Sequence, residues 1–161
     1  MAEEIEVSTS TLSGADLHAL ITYLRTIPAL QTRGLPASKT APAADSPEPV
    51  RAGLDARGKE IFAGACVSCH SWSGVSLLTN YATLTGDRSV NDPTAINVAQ
   101  IILSGELRHT AEGVVLMPSF ADAYSDTEIA AVANYVTARF GAQSSHLTAE
   151  DVAGFRKETS H

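Results

Sequence analysis

Five residues constrain this chain more than any others: Cys66-Val67-Ser68-Cys69-His70. Two thiols at i and i+3 on a helical turn lie on one face, and the next residue points about 100° further round. The thiols can each add to a vinyl group on one edge of a porphyrin, with the imidazole placed under the iron. C-x-x-C-H is accordingly the attachment pattern of a c-type haem. It predicts one covalently bound haem c, with thioethers at Cys66 and Cys69 and His70 as an axial iron ligand. A thioredoxin-like dithiol would need a βαβ context, which is missing. A structural zinc site would need four ligands, and His18, His109, His146 and His161 form no matching pair. Two cysteines are also too few for a disulfide-stapled scaffold.

The opposite face of the iron needs a second ligand. Of two methionines, only Met117 follows the attachment motif, in the segment Leu116-Met117-Pro118-Ser119-Phe120. A lone Met is ordinarily core filler, but a thioether in a loop after the haem helix is placed to close that face. His109 is the rival ligand.

The net charge of −7 argues against phosphate-backbone binding and so against a nucleic-acid partner. It argues equally against independent adhesion to anionic lipid. No apolar run approaches the roughly 18–20 residues that cross a bilayer. The start, Met1-Ala2-Glu3-Glu4-Ile5-Glu6, lacks the basic and apolar regions of a secretory signal. The chain is therefore expected to be cytoplasmic or a piece of something longer.

The pattern predicts helices over 12–27, 51–69, from Asp92 to Gly105, and from Ser125 to Gly141, with a short tail helix capped by Thr148. Ser13 with Asp16, and Ser125 with Glu128, are capping arrangements. Asp92 is read as a cap with Pro93 at the first helical position. Residues 33–50 hold four of the seven prolines and read as a linker with little packing. Residues 71–91 and 106–124 read as loops, and no strand is expected. Leu12–Leu24 lies over Tyr124–Val136 at a constant offset of 112, with cap serine, acid, apolar stripe and tyrosine coinciding. This is read as a true repeat.

Gly58-Lys59-x-Ile61-Phe62 before the haem motif, then Met117-Pro118-x-Phe120, then Ser125–Tyr135, resemble class I cytochrome c over residues 51–142. The resemblance implies an all-α fold, three or more helices wrapped around one haem. It places Gly58 and Phe62 against Tyr135 where the first and last haem-domain helices cross. The chain is similar, more narrowly, to the C-terminal haem domain of triheme cytochrome c subunits of membrane-bound bacterial dehydrogenases. That likeness makes residues 1–32 the end of a preceding haem domain and 33–50 a linker. It makes 51–142 the haem domain and 143–161 a tail, and it puts Met1 where the preceding haem's axial Met would stand. Residues 1–50 are then expected to be dispensable for the haem site.

Two departures stand out. Trp72 lies in a stretch that is small and Gly-rich in the family, and is expected over a haem edge or a partner surface. Tyr81-Ala82-Thr83-Leu84-Thr85-Gly86 lacks the family's proline, which leaves open the carbonyl that accepts from the axial His. Arg88 and Arg108 are candidates for a haem propionate or for solvent; His18, His146 and His161 are expected to be exposed.

The expected function is outer-sphere one-electron transfer in a periplasmic complex, by a subunit with no catalytic residues of its own. Upstream haem domains or a dehydrogenase subunit would be the donor. Quinone, a cytochrome or an oxidase would be the acceptor, with membrane association only through the larger complex. The alternatives are a haem sensor or ligand-binding module with an open sixth position, and a peroxidase.

Overall fold

The computed structural model describes residues 8–28, 37–46, 56–110 and 113–159. The expectations for Met1 and His161 lie outside them. The described residues form two compact units, one drawn from 1–34 and 108–114, the other from 35–107 and 115–161.

In the first unit, helix α1 spans Gly14–Thr26. The Ser13 hydroxyl accepts from the Asp16 backbone N–H at 3.2 Å, as the capping pattern predicts. The chain turns extended at Ile27, ahead of Pro28. No residue of α1 is buried, and Leu20, Ile21, Tyr23 and Leu24 are all exposed.

The second unit opens with helix α2, Ala56–Ile61. It runs through a wide π-turn at Phe62–Cys66 into α3, Val67–His70. A one-turn helix α4, Arg88–Asn91, is capped by Asp87. Then come α5, Ile96–Ser104, and helices α6, Asp126–Phe140, and α7, Ala149–Thr159; strands β1, Glu106–Thr110, and β2, Gly113–Met117, have residues 108–110 and 113–114 in the first unit and the remainder in the second. Ser125 and Glu128 close the predicted capping box, and the Thr148 hydroxyl accepts from the Asp151 N–H at 3.2 Å.

The α2–α6 crossing is as the resemblance implies. A Cβ on Gly58 would run into the Ala131 carbonyl and stand 2.9 Å from Tyr135 Cβ, so only glycine permits this approach. Phe62 is fully buried, its ring 5.5 Å from Tyr135, 5.4 Å from Phe140 and 5.7 Å from Trp72. Ile129, Val132 and Ala133 supply the inward stripe of α6.

Three expectations are corrected. Helix α5 begins at Ile96, not at Pro93. Asp92 folds back on its own loop, accepting from the Thr94 N–H at 2.9 Å and hydroxyl at 2.8 Å. A short carboxylate competes with the helix in this way. Residues 106–117 contain a two-stranded sheet where a loop is expected. The Pro-rich segment, finally, does pack. Residues 37–46 lie as an extended strap on the second unit: Lys39 N–H donates to Asn91 Oδ1 at 2.7 Å, and Ala43 N–H to the Ser73 carbonyl at 3.0 Å.

Candidate functional site

His70 ends α3 half-buried. Its Nδ1 lies 2.7 Å from the Ala82 carbonyl. A carbonyl only accepts, so the proton sits on Nδ1 and Nε2 is left as the acceptor nitrogen of the ring. Burial lowers the pKa of His70 and favours the neutral imidazole, against the opposing effect of the Ala82 bond. Ala82 is delivered by a 3₁₀ turn over Asn80–Ala82, with the Thr79 hydroxyl capping it. The carbonyl that the sequence leaves open is thus Ala82, inside Tyr81–Gly86 and without a proline.

Cys66 is half-buried, Cys69 is exposed, and both are free thiols. Burial, helped by the neighbouring Cys69, pushes the Cys66 thiol up to about 11, so it stays protonated. Addition to a vinyl group consumes such a thiol. Among the described residues no three His, Cys, Asp or Glu side chains gather into a metal-holding group. Cys66, Cys69 and His70 fit a haem, and fit a bare ion poorly.

Met117 closes β2. It is half-buried and packs on the core, on the same strand face as Val115, while Val114 and Leu116 are exposed. Gly105, at the end of α5 with φ 73°, passes so close that a Cβ there would stand 2.6 Å from the Met117 carbonyl oxygen. Beyond Pro118, the Ser119 hydroxyl donates to the Leu103 carbonyl at 2.5 Å and Phe120 N–H to the Ile102 carbonyl at 2.9 Å. The rival His109 is exposed on β1, as are Arg88 on α4 and Arg108 on β1. His18 and His146 are exposed as expected.

Trp72 follows the attachment motif. It is half-buried against Phe62, with the Arg139 guanidinium 5.6 Å from its ring centroid. Arg139 is only 7% exposed. It donates to the Trp72 carbonyl (2.8 Å) and to the strap carbonyls of Ala44 (2.9 Å) and Ser46 (3.0 Å). One buried cation thus ties the strap to the turn that follows His70. The sequence reading missed it, though Arg139 stands three residues past Val136 on the inward stripe of α6.

The second unit thus sets two thiols on one turn beside an imidazole oriented by a backbone carbonyl. The family comparison gives this arrangement its class. The chain belongs to the cytochrome c family, whose model matches residues 56–139. Membership carries with it a covalently bound haem c and a role in electron transfer. The chain is 28% identical over 173 residues to the fructose dehydrogenase cytochrome subunit of Gluconobacter japonicus, covering 97% of this chain and 36% of that protein. It is 28% identical over 168 residues to the gluconate 2-dehydrogenase cytochrome c subunit of Pantoea cypripedii, covering 98% and 36%. Identity to the cytochrome c subunit of the quinone alcohol dehydrogenase of Gluconobacter oxydans is 28% over 149 residues, covering 88% and 30%. The chain spans about a third of the length of these relatives.

Proposed function

We propose that this chain holds one haem through Cys66 and Cys69, with His70 and Met117 as axial ligands. On this reading it relays single electrons from a periplasmic dehydrogenase to quinone, a cytochrome or an oxidase. The observation that carries the reading is the Nδ1 bond from His70 to Ala82 at 2.7 Å, which orients an imidazole for a metal. A haem bound there supplies one-electron redox chemistry, and His/Met ligation raises its potential. The protein's part is to hold both ligands still. His70 has one tautomer, and the chain beyond Met117 is fastened to α5 through Ser119 and Phe120.

The same proposal places 1–32 at the end of a preceding haem domain, 51–142 as the haem domain and 143–161 as its tail. The offset of 112 and the threefold greater length of the relatives support it. The strap argues for carrying the haem domain's edge back to residue 37.

Met117→Ala in the exported holoprotein is expected to abolish the near-infrared Met-to-ferric-iron band, lower the potential and admit CO. His109→Ala should leave all three unchanged. The reverse result assigns the ligand to His109, and a wild-type protein that binds CO without change supports an open sixth position.

A further inference from the structure

Helix α7 lies outside the span matched by the family model, yet it is built into the unit. Val152 is fully buried, Phe155 packs on the core, and the helix lies against α5 and α6. Its Arg156 reaches the loop between Met117 and α6. Nε donates to the Asp126 carboxylate at 2.7 Å, Nη1 to the Ala121 carbonyl at 2.5 Å, and Nη2 to the Tyr124 carbonyl at 3.1 Å. The loop is therefore fastened twice. Ser119 and Phe120 pin its start to the last turn of α5. Arg156 pins its end, and ties that end to the first turn of α6.

A thioether is a neutral ligand delivered by its loop, so how long it stays on a metal depends on the loop's own free energy of opening. The loop carbonyls and the Asp126 carboxylate are arranged for a planar, forked donor, which a lysine ammonium cannot reproduce. We infer that Arg156 is a positioning residue for Met117: the tail helix locks the ligand loop against local opening. This rests on Met117 being the axial ligand.

The test uses the exported full-length holoprotein as wild type, Arg156→Gln, Arg156→Lys and Val152→Ala. Urea titrations follow the near-infrared Met–iron band and the far-ultraviolet circular dichroism side by side. Hydrogen exchange is read at the amides of 119–124. In Arg156→Gln the band should vanish at lower urea than the helical signal. Exchange in the loop and CO binding should each rise about tenfold, the scale of a lost hydrogen bond to a charged group. Arg156→Lys should restore part of this. Val152→Ala should shift band and helical signal together, as a plain loss of stability does. If Arg156→Gln also shifts them together, or leaves exchange at 119–124 unchanged, the lock is overturned. A wild type without the band overturns the ligand reading and the axial role with it. Accelerated loop exchange in Arg156→Gln would then mark the failure as the ligand's and not the lock's.

Discussion

Helices α1 and α6 follow one pattern 112 residues apart: Ser13 and Ser125 cap, Asp16 and Glu128 follow, and Tyr23 and Tyr135 share a register. Both caps form. Their outcomes differ all the same. Tyr135 is 2% exposed and Tyr23 65%. What separates them is a partner surface shaped to receive the stripe. Helix α6 meets α2 at Gly58, where a missing side chain lets the backbones close, and Phe62 fills the space beside it. No residue of α1 is buried. An apolar stripe states that a helix needs a partner; it does not supply one.

Matched substitutions measure that difference most directly. Tyr135→Ala should cost about 3–5 kcal/mol of unfolding free energy, the range for emptying a buried aromatic site. Tyr23→Ala should stay within about 0.5 kcal/mol, as exposed positions do. Chemical denaturation of the two holoproteins checks this, and equal losses would show that α1 is packed in solution.

Truncation draws the line between the two regions. Removing residues 1–34 should leave the midpoint of unfolding nearly where it is. Removing 1–46 also takes away the strap carbonyls that accept from Arg139. That should cost about 2–3 kcal/mol, since hydrogen bonds to a charged group are lost around a buried cation. The haem domain would thus tolerate the first cut and not the second.

The smallest expected effect is acid-dependent. Arg57 and the Ser125 cap pull the Glu128 carboxyl from 4.5 down to about 2. A carboxylate with a depressed folded pKa contributes stability that is complete above its unfolded value and disappears as pH falls through the folded one. Glu128→Gln should therefore flatten the stability profile between about pH 4.5 and pH 2, leaving its shape near neutrality intact.

The parts legible in the sequence are those in which chemistry is local. C-x-x-C-H names its own attachment, and a serine followed three residues later by an acid names a helix start, at α1 and α6 alike. The Gly58–Tyr135 crossing was legible through resemblance. What escaped depends on distant partners. The strap reads as a linker because its prolines speak only for the chain itself, whereas its acceptors meet Arg139, more than ninety residues away. The hairpin escaped because its strands are mostly exposed and carry little alternation of apolar residues. Asp92 was misread because one carboxylate serves a turn as well as a helix. Ala82 could not be singled out, because every residue offers the same carbonyl.

The π-turn at Phe62–Cys66 has a consequence for how this site can change. In an unbroken α-helix, Cys69 would continue the line of Gly58, Ile61 and Ala65 and look into the core. The wide turn holds one residue more than an α-helical turn, which delays everything after it by about 100°. Gly58 and Ile61 stay buried while Cys69 comes out exposed. The packing half and the cofactor half of one continuous helix therefore run out of phase by design of a single extra residue. Deleting one residue between Phe62 and Cys66 would remove that extra residue, heal the helix and leave both halves in their present phase, whereas forcing the unshortened segment into a regular α-helix would carry Cys69 round by about 100° toward the core.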